Sequence, residues 1–317
     1  MNFYAFFAQL AELVMSLALA PLFVGWVNQC RAWLQNRSAP PLLQTYYTLY
    51  KLFHKDVLLA HNASPLFRAA PYAIFGCMAL ASAIVPTLST TLILAPAADT
   101  IAFVGLFALA RAFIALAAMD VGTAFGSLGS RREMLIGFLA EPALLMIFFT
   151  ASLISYSTSL SSIVGTLASS EFSIHPSLAF AGTAFVMVAL AENARVPIDN
   201  PTTHLELTMI HEAMILEYSG RHLALIEWAS ALKLFAYSCL GIVLFVPTGI
   251  PATASPLALV TAAGLMGMKL MVGGFGLALI ETLSAKMRIF RAPEFLGTAF
   301  LLAVLAMLVH LLLETGG

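Results

Sequence analysis

The chain has 317 residues, of which 61% are hydrophobic and only 10% charged, with 15 Lys and Arg against 16 Asp and Glu. A soluble protein is nearer half apolar and a quarter charged. The composition therefore excludes an ordinary cytosolic enzyme, a disordered chain and a nucleic-acid-binding protein, and the mean hydropathy of +0.93 makes lipid the solvent.

Spans of roughly 20 apolar residues cross a hydrocarbon core of about 30 Å as helices. In chain order the sequence predicts eight, near 3–28, 69–94, 100–119, 134–155, 174–192, 222–246, 256–283 and 295–313. The first is too long for the apolar core of a cleavable signal peptide and follows no basic stretch, so it is expected to be a true span. The second is expected to end near Pro86. The expected fold is all-α and polytopic, a single membrane domain over 1–317.

The connecting loops carry the orientation. Twelve of the 15 basic residues fall on loops 1, 3, 5 and 7, near 29–68, 120–133, 193–221 and 284–294, and none falls on the even loops. The positive-inside rule puts the odd loops in the cytoplasm and both termini outside. Loop 1 is long, and Leu42 to Lys55 repeats apolar residues at helical spacing, which predicts an amphipathic helix. Loop 5 is also long. Pro197 and Pro201 stop the fifth span there, Thr202 or Thr203 caps a new helix, and His204 to Glu217 follows a helical pattern. The stretch Ser152 to Ser162 reads as the end of a span leading into an outer loop.

Cys30, Cys77 and Cys239 are scattered, and His204 and His211 with Glu206 or Glu212 lack zinc-protease spacing, so no metal is expected in this chain. No nucleophile or nucleotide motif is present. Instead, Glu12, Arg111, Glu141, Glu192, Glu227, Lys233, Lys269 and Glu281 fall in or at the edges of spans. Each such group costs on the order of 2.5–3.5 kcal/mol at the bilayer centre, so they are expected to pair or line water. Glu12 and Glu281 are expected to be ion pairs or snorkelling ends. Arg111, Lys233 and Lys269 are expected to serve as counter-charges. Glu141, Glu192, Glu206, Glu212 and Glu217, with His204, are expected to form a proton path from a cytoplasmic cavity.

Specific strings then match a family. Asn36 to Pro40, Leu42 to Gln44, Tyr46, Lys51 to Phe53, Ser64-Pro65, Phe67-Arg68 and Pro71-Tyr72 resemble the first cytoplasmic loop of respiratory complex I subunit 1. Ala191-Glu192 through Arg195, Pro197, Asp199 and Pro201, then Glu217 to Gly220, resemble its most specific signature. The strings from Arg111 to Pro142 and from Asp199 to Met214 look closer to the homologous subunit of group 4 NiFe hydrogenases, including formate hydrogenlyase-type complexes.

The resemblance implies a non-catalytic membrane subunit, in the cell inner membrane, on which soluble hydrogenase large and small subunits and an iron–sulfur subunit dock beside antiporter-like membrane subunits. The NiFe and iron–sulfur centres then belong to partner subunits. Arg37, Arg195 and Asp199 match positions around the quinone chamber of complex I. The family's Arg-x-Gly-Pro reads Arg37-Ser38-Ala39-Pro40 here, and two acids of its loop-5 motif become Thr202 and His204. These departures favour hydrogenase-type over quinone chemistry. A complex I-type quinone subunit and a free-standing proton- or cation-coupled transporter are the alternatives.

Overall fold

The computed structural model describes residues 3–90, 92–95, 98–169, 176–199, 210–250, 256–285, 287 and 291–313. Among these residues the secondary structure is helical throughout, apart from one isolated bridge between Asp99 and Ser159.

The helices are α1 (Phe3–Leu34), α2 (Gln44–Phe53), α3 (Pro65–Ile84), α4 (Thr100–Asp120), α5 (Ala124–Ser155), α6 (Leu160–Ser169), α7 (Pro176–Glu192), α8 (His211–Ile215), α9 (Gly220–Phe245), α10 (Pro256–Leu283) and α11 (Ala292–Leu313). Seven of them, α1, α3, α4, α5, α9, α10 and α11, are long and apolar enough to cross a membrane. The chain is a multi-pass membrane protein. The expected fifth span corresponds to α7, which at 17 residues sits at the short end of the spanning range. It packs against α5 and α11.

Local chemistry sets the ends. Ser64 caps α3, accepting from the amide of Leu66, with Pro65 at the first helical position where its missing donor is harmless. The same helix stops at Ile84, at the end expected near Pro86, because Pro86 drives Val85 into an extended conformation. Asp99 caps α4 and Thr123 caps α5.

That second cap corrects the expected loop 3. Only residues 121–123 are non-helical, and α5 takes Arg131, Arg132 and Glu133 into a helix of 32 residues. The other loops are also shorter than expected, since α1 continues to Leu34, α9 begins at Gly220 and α11 begins at Ala292. The Ser-rich stretch after α5 leads into a further short helix, α6, where an outer loop is expected.

Loop 1 does contain the expected helix. It lies across α1, because Gly25 lets the chain approach closely. A Cβ there sits 2.1 Å from the carbonyl oxygen of Leu42. The Tyr46 hydroxyl donates to the Ala18 carbonyl, and Phe53 meets Trp228 of α9 edge to face. The end of the loop is tied to α9 as well. Ser219 Oγ both accepts from the amide of Leu58 and donates to its carbonyl, each at 2.8 Å. Tyr218 stacks on Phe67 with ring centroids 4.0 Å apart and donates its hydroxyl to the Phe67 carbonyl at 3.0 Å. Burial and the nearby Asp120 carboxylate push the Tyr218 phenol up from its ordinary range, so it remains a neutral donor.

Candidate functional site: a buried charge cluster beneath an internal cavity

The helices enclose a cavity of about 360 Å³. Its mouth is bordered by Asn28 and Arg31 of α1, Thr45 of α2, Arg195 and Asp199 after α7, and Glu212 of α8. Its floor is reached by Phe107 and Arg111 of α4, Glu192 of α7 and Lys233 of α9. Glu227 and Ser230 keep exposed surface although they sit in a spanning helix, and both line the cavity.

Arg111 is the hub of the floor. It is 6% exposed, and its three nitrogens divide among three carboxylates. Nε donates to Glu133 Oε1 at 3.2 Å, Nη1 to Glu141 and Nη2 to Glu192. Lys233 Nζ stands 2.9 Å from the second oxygen of Glu192, as an ion-pair contact. His211 Nδ1 stands 3.5 Å from the second oxygen of Glu133. Glu133, Gly137 and Glu141 follow one another at four-residue spacing and so share a face of α5. Gly137 has a specific job on that face: a Cβ would fall 2.3 Å from Arg111 Nη1, so only a glycine lets the guanidinium lie flat against the helix.

A second ion-pair group borders the mouth. Glu281, 6% exposed near the end of α10, accepts from Arg195 at 3.0 Å and lies 3.6 Å from Arg31. It joins α1, α10 and the segment after α7. Asp199, on the same segment as Arg195, is buried and accepts from the amide of Ile210 at 3.3 Å, which ties the two described ends of loop 5 together.

The expected site residues therefore divide. Glu141 and Glu192 meet at one guanidinium. Glu212, Arg195 and Asp199 line the cavity. Glu217 and Arg37 are exposed and line no part of it. His204, Glu206, Thr202 and Thr203 lie outside the described residues, as do Lys286 and Arg288 of loop 7.

Two expectations about in-span charges change. Among the described residues Lys269 meets no acid: it donates to the carbonyls of Val246 and Thr248, at 2.7 and 2.5 Å, and so finishes the C-terminal end of α9. Glu281 is the expected ion pair, but Glu12 is neither paired nor snorkelling. It is 1% exposed, and no cation among the described residues reaches it.

Sequence reasoning missed Glu133, because a loop was expected over 120–133. The Thr123 cap followed by an unbroken helical stretch is the signal that finds it. Among the described residues no group of three His, Cys, Asp or Glu side chains could hold a metal ion.

Comparison with known proteins follows the same outline. The chain is 30% identical over 297 residues to formate hydrogenlyase subunit 4 of Escherichia coli (strain K12), spanning 94% of this chain and 96% of that protein. It is 33% identical over 241 residues to hydrogenase-4 component C of the same organism, spanning 76% of this chain and 75% of that one. In fold it resembles a chain of the membrane-bound sulfane sulfur reductase, an archaeal respiratory membrane complex, with a TM-score of 0.82 at 19% identity, covering 95% of this chain and 98% of that one. The NADH dehydrogenase family profile matches residues 8–312, from within α1 to within α11, and so takes in the residues of the mouth and the floor. By that match and by its length of agreement with the two relatives, the chain belongs to the NADH dehydrogenase (complex I subunit 1-like) family.

Proposed function

We propose that this chain is the membrane-anchor and coupling subunit of a group 4 hydrogenase-type complex in the cytoplasmic membrane. It docks the soluble electron-transfer arm, made of hydrogenase large and small subunits and an iron–sulfur subunit, and it adjoins antiporter-like membrane subunits. The redox centres belong to those partners, and this chain links their chemistry to proton translocation. The relatives named for formate hydrogenlyase and hydrogenase-4 support the choice of complex.

The observation that carries the coupling role is the charge balance of the cavity floor. Glu133, Glu141 and Glu192 surround two cations, Arg111 and Lys233. Three carboxylates against two cations leave one negative charge uncompensated in a low-dielectric site, and one proton neutralises it. His211 faces Glu133 from the cavity side and Glu227 opens onto the same space. A proton entering at the mouth thus has acceptors at both depths.

The test is proton pumping by the whole complex in proteoliposomes during turnover. Glu192→Gln and Glu141→Gln are expected to cut pumping at least about tenfold while electron transfer by the soluble arm continues, as removal of an acid–base group does. Pumping at the wild-type ratio in both variants would falsify the path.

One observation favours a second reading. Ile74, Met78, Phe107 and Ile114 give the cavity an apolar wall, and its volume falls within the range of small-ligand sites, about 300–1,000 Å³. That suits a quinone ring. A photoreactive quinone analogue that labels Met78, with protection by unlabelled quinone, supports a quinone chamber. Labelling without protection removes it.

A further inference from the structure

A further buried carboxylate, Glu12, stands at the opposite end of the bundle. Val24 is the cavity-lining residue of α1 that comes nearest to Glu12 along the chain. The separation is about 18 Å at 1.5 Å per residue. Glu12 is therefore no part of the floor cluster.

Its surroundings differ in kind from those of the other buried acids. Glu133, Glu192 and Glu281 each lie within ion-pair reach of an arginine or lysine. Around Glu12 the partners are neutral: backbone amides and the side chain of Thr87. Oε1 accepts from the backbone of Leu88 at 2.7 Å and of Ser89 at 3.4 Å. Oε2 is buried and has no hydrogen-bond partner. The titratable group facing it from α9 is the thiol of Cys239, which brings no positive charge, and Thr87 adjoins it from the segment after α3. Lys269, the cation of α10, is engaged with the carbonyls of Val246 and Thr248.

The amides that meet Glu12 belong to a non-helical stretch, Val85 to Ser89, buried between α3 and α4. Irregular backbone at membrane depth survives only where protein groups satisfy it. α1 does this with two side chains. Gln9 donates to the Ala83 carbonyl at 2.5 Å and accepts from the Leu94 amide at 3.3 Å, bracketing the stretch that Glu12 holds at its centre. A neutral amide such as Gln9 would suffice for that bracing. Glu12 instead supplies a carboxyl with one oxygen satisfied by amides and the other bare. A few backbone amides and one threonine hydroxyl, all neutral, do not replace the hydration shell or the counter-ion of a carboxylate. A proton on the bare oxygen removes the charge and leaves the amide bonds intact.

We propose that Glu12 is a proton-binding site in the half of the bundle away from the cavity, with Oε2 holding an exchangeable proton behind the Val85–Ser89 stretch. The protonation itself is independent of the coupling role argued above; only its use as a station for a translocated proton rests on that role.

Infrared spectroscopy of the purified whole complex in lipid nanodiscs, compared in H2O and D2O at neutral pH, tests it. The expected result is a protonated-carboxyl C=O band that shifts in D2O, is lost in Glu12→Gln and is retained in Glu192→Gln. A band that is unchanged in Glu12→Gln, or that fails to shift in D2O, overturns the proposal. If Glu12→Gln does not assemble, Glu12→Asp keeps the acid and must move the band; an unmoved band likewise overturns it. Failure of the coupling role reads out separately, as undiminished pumping in Glu192→Gln.

Discussion

Replacing Arg111 with methionine is expected to remove most of the assembled complex from the membrane. The substitution keeps apolar length but leaves Glu133, Glu141 and Glu192 around a single lysine, Lys233, with His211 beside Glu133. Deleting one partner of a buried ion pair costs about 3–5 kcal/mol, because the charge left behind keeps its desolvation penalty. Here three acids are left behind, and a folded domain has only about 5–15 kcal/mol in total.

The measurements are the yield of detergent-solubilised complex and its thermal unfolding midpoint. Two further variants separate charge from packing. Arg111→Lys keeps the charge but cannot fork to three carboxylates, so an intermediate loss is expected. Arg111→Met combined with Glu133→Gln and Glu192→Gln is expected to regain stability over Arg111→Met alone, since contacting residues are not additive. If Arg111→Met unfolds at the wild-type temperature, the hub is not holding the floor together.

Gly220→Ala is expected to open loop 1 to trypsin. Gly220 has φ +54, and a Cβ there lies 2.8 Å from the Asp56 carbonyl oxygen and 2.9 Å from that of Lys55. Both obstacles are backbone, so nothing flexible can move aside. A left-handed conformation costs a non-glycine residue roughly 1–2 kcal/mol before any clash. The strand of chain at 55–58, held by Ser219, must then lift from the start of α9. A loss of about 2 kcal/mol raises the open population roughly 30-fold. Cleavage after Lys55, an exposed residue, reports it directly. Equal cleavage rates in Gly220→Ala and wild type would mean that this junction does not restrain the loop.

Much of the fold was legible because the signals are local. Apolar length marks the spanning helices, Pro86 ends α3, and the spacing of Leu42 to Lys55 shows α2 before any contact is known. The loop-5 prolines likewise mark where α7 ends. The site was legible only in part. Glu141 and Glu192 stand out as acids in apolar runs, but they lie 30 and 81 residues along the chain from their shared partner Arg111, and no period connects them. Glu133 was hidden by its charged neighbours Arg131 and Arg132, which look like a loop until Thr123 is recognised as a cap. Glu12 was misjudged because a lone acid near a chain end resembles a snorkelling group. Its burial depends on the backbone path of residues 85–89, which is a tertiary fact. Arg37 and Glu217 belong to family-like strings, yet both face outward, so matching a motif and lining a cavity proved to be separate properties.

α5 has a mechanical consequence. At 32 residues it measures about 48 Å, well beyond the 30 Å or so of hydrocarbon. Its surplus turns, from Ala124 onward, are continuous with the helix that carries Glu133 and Glu141. A hydrogen-bonded rod of that kind passes a tilt along its length with little loss. Pro142 then interrupts it, since a proline offers no amide to the carbonyl four residues before. The helix still runs on to Ser155, so the Thr123 cap, Glu133 and Glu141 belong to one continuous helix, and the hydrogen bond that the proline omits falls just past the charged face.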